Sequence, residues 1–186
     1  YTASRRLRSD DAYTPGGIAG FRPDYATVVY TQILKKLYPS SSVLIGGIEA
    51  SMRRLMHYDY WRDRLEPSIL ISSGADLLIY GMAERAVAQL AGRLLAGERM
   101  KEIHDLPQSA FTVSSDTVLP ALPGVRDKAL RPCHEALASR KAYAENFVLF
   151  EKTSNSIKPV RLTEQCGDVT VVVNPPLPPA TEAETD

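Results

Sequence analysis

The chain has 186 residues, with 44% hydrophobic and 24% charged, enough for one domain with a buried core and an ordinary globular balance. Lys and Arg number 22 and Asp and Glu 22, so the net charge is zero and the basic footprint of a dedicated nucleic-acid binder is missing. The longest apolar runs fall far short of the roughly 18 residues of a membrane span, and no basic, apolar and small-residue leader pattern opens the chain. These features predict a cytoplasmic protein with neither a membrane nor nucleic acid as its main partner.

Residues 1–22 hold a basic run, Arg5-Arg6-Leu7-Arg8, answered by Asp10-Asp11, and then Pro15-Gly16-Gly17. This is loop chemistry, and the spacing predicts an irregular segment anchored by Tyr13 and Phe21. From Pro23 to Leu37 apolar residues recur at Ala26, Val29, Tyr30, Ile33, Leu34 and Leu37, the period of one helix face. Pro39 stops that helix. Val43-Leu44-Ile45 then reads as a buried strand that breaks at Gly46-Gly47.

Ser51 to Trp61 reads as a short helix or an ordered loop, Asp63 to Pro67 as a charged turn, and Ala75 to Tyr80 as a second buried strand ended by Gly81. Ala83 to Ala96 has the spacing of a second amphipathic helix, with Gly97 suited to its C-terminal cap. Helix, strand, crossover, strand and helix predict an α/β fold with parallel strands.

Ala110 to Val113 reads as an edge strand, and prolines interrupt the region up to Pro132. Cys133 to Phe150 returns to helical spacing, with a continuation expected over Ser156 to Gln165. Val169 to Val173 is a β-branched strand. Asn174-Pro175-Pro176-Leu177-Pro178-Pro179 reads as a stiff linker. The expected organisation is an irregular segment over 1–22, an α/β domain over 23–173 and a linker over 174–186.

Two glycine turns follow two apolar strands, and each has an acid nearby: Gly46-Gly47 with Glu49, and Gly81 with Glu84. Open α/β sheets build ligand crevices at such strand ends. The pattern is neither GxGxxG nor a P-loop, and each turn alone is equally a plain tight turn. After the first turn come Arg53, Arg54, His57, Asp59 and Tyr60. The arginines either clamp an anion or pair with the interleaved Glu49, Asp59, Asp63 and Glu66. The His57-Tyr58-Asp59-Tyr60-Trp61 run either presents a stacking surface to a ligand or another domain, or fills core. On a helix His57 and Asp59 would not share a face. Cys133 and Cys166 form no CxxC pair and no ligand set with a histidine, so free buried thiols and no metal are expected.

Longer motifs carry a family resemblance. Tyr1 to Arg8, Asp10 to Pro15, Val29 to Gln32, Gly46 to Trp61, Gly74 to Arg85, His104 to Gln108, Lys141 to Phe147 and Val171 to Pro179 resemble the amino-terminal region of the YgiQ-like radical SAM proteins. The resemblance implies a Rossmann-like, three-layer parallel sheet of the cobalamin-binding-domain type, incomplete here because the family's opening strand and helix are missing. It also implies a following radical SAM barrel with a Cys-x3-Cys-x2-Cys motif for a 4Fe-4S cluster that cleaves S-adenosylmethionine. Cys133 and Cys166 are not that motif, and a cluster needs three or four thiolates, so no cofactor is expected in this chain. The missing Asp-x-His-x-x-Gly loop argues against cobalamin.

Tyr1 in place of Met, and a helix-start signal at Thr181-x-x-Glu184 with nothing after it, predict a segment of a longer protein. By this resemblance Gly46, Gly47, Glu49, Gly81 and Glu84 would line a cofactor crevice. Arg53, Arg54, His57, Asp59 and Tyr60 would meet a ligand or the barrel. The expected role is an accessory domain that shapes access to the barrel. The competing roles are a pure interaction module, or a stand-alone enzyme using His57 and Asp59 as acid and base.

Overall fold

The computed structural model describes residues 10–154 and 156–179, so the arginines at 5–8 and the Thr181–Glu184 signal lie outside the described residues. A six-stranded mixed sheet forms the middle layer. Its strands are β1 (Leu44–Ile45), β4 (Leu77–Ile79), β5 (Ser109–Ser114), β6 (Arg126–Ala129), β7 (Val160–Cys166) and β8 (Val169–Val173). Their order across the sheet is β1-β4-β5-β8-β7-β6. A separate hairpin pairs β2 (His57–Asp59) with β3 (Arg64–Glu66). The α/β class and the layered architecture follow the expectation. Parallel pairing is confined to β1 with β4 and β6 with β7, and the other neighbours are antiparallel.

Strand alternation divides the core in two. Leu78, Ala110, Leu162, Val171 and Val173 face one side. There they meet residues of α1 (Ala26–Leu37), α2 (Gly47–Met52), α3 (Ile69–Ser73) and α6 (Arg140–Ser154), among them Val28, Ala50, Leu70 and Phe150. Leu77, Ile79, Phe111 and Val172 face the other side, against Ala86 and Leu90 of α4 (Glu84–Leu95) and against Ile103 and Leu106. A third cluster sits at the outer end of β7. It joins Met56, Leu65 and Cys166 to Cys133 and Ala136 of α5 (Cys133–Ala138) and to Tyr143.

Several elements differ from the sequence expectations. The 156–165 stretch is strand β7 and not helix. Pro159 stands just before its first residue, and its polar members Arg161 and Glu164 are buried, which hides the strand alternation from a hydropathy reading. β5 lies inside the sheet and not at its edge, because β8 pairs along its full length. Arg64–Glu66 is a strand, with Asp63 at φ 56° in the turn before it. The exposed β6 carries no apolar pattern at all. The 133–150 helix is broken at Ser139, whose φ/ψ are extended.

The α1 stripe also turns out differently. Thr31 is buried, whereas Tyr30, Ile33, Leu34 and Leu37 stand exposed. Polar ties set this rotation: Thr27 Oγ1 donates to Glu49 at 2.6 Å, Gln32 Nε2 donates to the Ser72 carbonyl at 2.8 Å, and Lys35 pairs with Asp76. Tyr13 and Phe21 are exposed, so they do not anchor the N-terminal segment. Asp11 instead binds Arg22 through both carboxylate oxygens.

Cys133 and Cys166 are joined in a disulfide, with Cα atoms 4.9 Å apart, and are not free thiols. The sequence separation of 33 hides the pairing. Parallel β6 and β7 remove it: the Leu130 N–H donates to the Thr163 carbonyl at 2.8 Å, and both chains then run on side by side to the cysteines.

The segment after β8 is clamped to the sheet. Asn174 is buried and its Nδ2 donates to the carbonyls of His104 and Leu106 at 3.0 and 2.8 Å. The Gln108 N–H donates to the Pro175 carbonyl at 2.7 Å, and the Tyr80 hydroxyl to the Asn174 carbonyl at 2.7 Å. Asn174→Ala strips the donor from two carbonyls in this packed region. It should lower stability by about 1–3 kcal/mol, read as a fall in the urea midpoint with an unchanged slope.

Candidate functional site

The parallel pair β1 and β4 ends in the two predicted glycine turns, and the structure brings them together. Gly46 lies so close to β4 that a Cβ there would stand 3.1 Å from the Ile79 carbonyl oxygen. Gly47 opens α2 at φ 80° and Gly81 turns at φ 69°, conformations that glycine adopts without strain. The Oγ of Ser51 in α2 accepts the Gly81 N–H at 3.1 Å. Gln108, itself at φ 59°, holds the Gly81 turn by donating Nε2 to the carbonyls of Tyr80 and Met82. Nothing in the sequence pattern singled out Gln108, because only the sheet order brings it to this turn. Glu84 is exposed in the first turn of α4.

Glu49 points away from the glycine turns and serves as a cap for another helix. Its Oε2 accepts the Thr27 N–H and hydroxyl at the start of α1, while its Oε1 pairs with Arg53 at 3.0 Å. Carboxylates near a helix N-terminus are stabilised by the unsatisfied N–H groups there. Arg53 continues the chain of contacts, with Nη2 3.8 Å from Asp59 and its guanidinium stacked over Tyr25 at 5.0 Å. Arg62 stacks on the same ring at 4.3 Å. Arg54 takes a separate path into the core. It is held between the rings of Tyr80 and Phe150, 4.5 Å from each centroid, and burial lowers its pKa.

His57 and Asp59 occupy positions i and i+2 of β2. In a strand, unlike a helix, that spacing puts them on one face. Both line a 60 Å³ cavity with Tyr25, Arg53, Arg62 and Glu66, a space for about two waters. The His57 Nδ1 lies 3.2 Å from the Leu55 carbonyl, and burial lowers the pKa of the ring. Asp59 is 3% exposed. Its Oδ1 accepts the N–H groups of Trp61 and Arg62 at 2.9 Å each. Burial raises the Asp59 pKa, but the Arg62 N–H, the neighbouring Tyr25 hydroxyl, the Trp61 N–H and Arg53 more than reverse this, so the net shift is downward. Tyr60 is half-exposed and packs edge-on against Trp61.

The predicted residues are therefore not one site: the glycines stand at the strand ends, ion pairs run from Glu49 through Arg53 to Asp59 with His57 beside them, Arg54 is held between two rings, and Glu84 and Tyr60 are exposed apart from these. Two other features escaped the sequence reading. A 430 Å³ cavity at the opposite end of β4 is lined in part by Asp76, Lys101 and His104. Beside Cys133 and Cys166 lies the buried carboxylate of Glu164, within 4.8 Å of both sulfurs. With both sulfurs in one covalent bond, neither offers the thiolate a metal or a cluster requires.

A layered α/β sheet with glycine turns at the ends of a parallel strand pair, and a proline-rich segment held beside them, defines the class of domain. The comparisons give its family. The Radical SAM N-terminal family model matches residues 1–186, and the chain belongs to that family. The chain is 48% identical over 186 residues to a UPF0313 protein of Porphyromonas gingivalis, covering all of this chain and 29% of that protein. It is 45% identical over 186 residues to one of Geobacter sulfurreducens, covering 30% of it. With a third from Pseudomonas putida the identity is 54% over 117 residues, 63% of this chain and 15% of that protein. The chain thus spans less than a third of the length of these curated relatives. No solved structure matches it.

Asp59 gives the site a pH signature. Its carboxyl is more acidic folded than unfolded, so it contributes stability that is present above about pH 4 and is lost as pH falls through the folded value. Asp59→Asn should flatten the fall in urea stability as the pH drops below about 4, and should lower stability at pH 7.

Proposed function

We propose that the chain is the accessory domain of a radical SAM iron–sulfur protein, and that its strand-end face packs on the barrel and shapes access to it. The observation that carries this reading is where the chain leaves the fold. After β8 it is held against Tyr80 and Gln108, and the Pro178 carbonyl accepts from Arg85 at 3.1 Å, so residues 174–178 run beside the strand end at Tyr80 and Gly81. Next to Gly47 and Gly81 stand exposed large apolar side chains, Ile48 at 85% and Met82 at 83%. Apolar groups gathered around a chain exit suit burial against the next domain.

The cluster and S-adenosylmethionine belong to that next domain in this reading. Two cysteines joined to each other supply none of the thiolates a 4Fe-4S cluster takes. What this chain's own residues do is hold a surface: Gln108 and Ser51 fix the glycine turns, and Glu49 and Arg53 fix the 53–61 segment behind them.

A second reading, a pure interaction module without a small-molecule ligand, rests on a specific feature. The polar groups at the predicted crevice are spent on one another, with Ser51 on Gly81 and Glu49 on Thr27 and Arg53. Ile48→Asp with Met82→Asp in the full-length protein tests the packing face common to both readings. The expected result is faster proteolysis just after residue 179 and loss of S-adenosylmethionine cleavage, while unchanged proteolysis and cleavage would sink it. Calorimetric titration with cobalamins and nucleotides separates the two readings: saturable binding lost in Gly47→Val favours a crevice, and no heat favours the interface alone.

A further inference from the structure

The outer end of β7 holds a group of side chains that the interdomain reading leaves unused. Cys133 opens α5 and is buried, and Cys166 ends β7 with its side chain partly exposed. Glu164, two residues before Cys166 on the same strand face, is 1% exposed and lies within 4.8 Å of both sulfurs. The surroundings are apolar: Met56, Leu65, Ala136 and Tyr143. The carboxylate receives the Met56 N–H at 2.7 Å through Oε2. A carboxylate set into an apolar cluster beside a disulfide costs stability in its charged form. A structural crosslink needs no such neighbour.

We propose that Cys133 and Cys166 form a reversible thiol–disulfide exchange site, with Glu164 as its proton donor and acceptor and small or protein thiols as its reaction partners. The accessibility of the two sulfurs sets the order of steps. A thiolate of the partner attacks Sγ of the partly exposed Cys166, and the Cys133–Cys166 bond breaks. The departing electron pair stays on Cys133, which takes the proton of Glu164. A second partner thiolate then attacks the partner sulfur attached to Cys166. That mixed disulfide breaks, the partner leaves as its own disulfide, and Cys166 leaves as a thiolate that takes a proton from solvent. One further solvent proton returns to Glu164. In balance, two partner thiols are oxidised to one disulfide and the protein disulfide is reduced to two thiols.

The proton step suits the carboxyl in its place. Burial pushes Glu164 up to about 7, with the Met56 N–H opposing, so near neutrality it both holds and releases a proton. The titratable groups that share its cavity are Arg54 and His57 from the segment around β2 and Tyr143 from α6. The Met56 N–H that Glu164 accepts belongs to the residue just before His57, so a change at the sulfurs reaches the β2–β3 hairpin through one hydrogen bond.

The site does not depend on the packing of the strand-end face, and its test is separate. The full-length protein is equilibrated in mixtures of reduced and oxidised glutathione, alkylated in the native state, and the peptides carrying Cys133 and Cys166 are weighed. The proposal expects both cysteines to switch together in a single two-electron transition, while the fold persists by circular dichroism. Glu164→Gln retains an acceptor for the Met56 N–H and removes the cost of a buried charge, so the urea midpoint of the oxidised protein should hold or rise while the exchange slows on the order of a hundredfold. Three results would overturn the proposal: cysteines that stay unreactive until the protein unfolds, cysteines that alkylate independently of each other, or two reduced thiols co-purifying with one zinc ion per chain. Exchange in Glu164→Gln at the unaltered rate would remove Glu164 from the mechanism.

Discussion

The fold depends on the last strand. β8 pairs with β5 on one side and β7 on the other, and among the described residues it is the strand that joins the β1-β4-β5 half of the sheet to the β7-β6 half. Val171, Val172 and Val173 are buried, and they alternate between the two faces of the sheet. Neither half can complete its core before residues near 170 arrive. The central pairings are therefore long-range, and closing such loops costs entropy before the packing returns it. The position of β8 also fixes where the chain leaves the fold. Asn174 follows directly from a central strand, so the exit segment begins inside the molecule and must be satisfied there, which His104, Leu106 and Gln108 do.

Around that sheet, single carboxylates join elements that are remote in sequence. Glu49 ties α2 to the start of α1 and to Arg53. Asp76 accepts the Val43 N–H at 2.7 Å and pairs with Lys35, and so locks α1 to the entry of β1. Glu164 reaches across to Met56. Each satisfies backbone or cationic groups that would otherwise be buried without partners. This explains why α1 turns its apolar stripe outward: charge-assisted bonds on its inner side outweigh the few partly exposed apolar contacts it gives up. The geometry of these bonds, and not hydropathy, selects the rotation.

That balance marks what could be read from sequence. The strands at Val43–Ile45, Ala75–Tyr80 and Val169–Val173 were legible as short apolar runs and the helices around residues 26–37 and 84–95 from their period, although over 26–37 the period gave the element and not the face it buries. The glycine turns were legible because glycine takes the positive φ of Gly47 and Gly81 without strain. β7 was not, since its buried Arg161 and Glu164 imitate the polar face of a helix. β6 was not, since an exposed edge strand of Arg, Asp, Lys and Ala has no pattern to read. At the site, the proximity of Gly46 to Gly81 followed from strand pairing. The inward course of Arg54, the cap role of Glu49 and the pairing of Cys133 with Cys166 required the third dimension. The His57–Asp59 spacing was judged as if on a helix, and a strand reverses that judgement.

Among the exposed apolar groups, Ile48 and Met82 adjoin the glycine turns, and the outer stripe of α1 is a second set. Scattered apolar residues are normal on a protein surface, but gathered ones cost solubility unless something covers them. The first set stands beside the segment that Tyr80 and Gln108 hold, and a methionine such as Met82 fits an irregular surface well because its side chain adapts. The residues behind it are rigid: glycine turns held by Ser51 and Gln108, and a strand end whose Tyr80 is bonded to Asn174. Adaptable side chains on a fixed backbone make a surface that can pack closely without rearranging, at little entropic cost to the backbone.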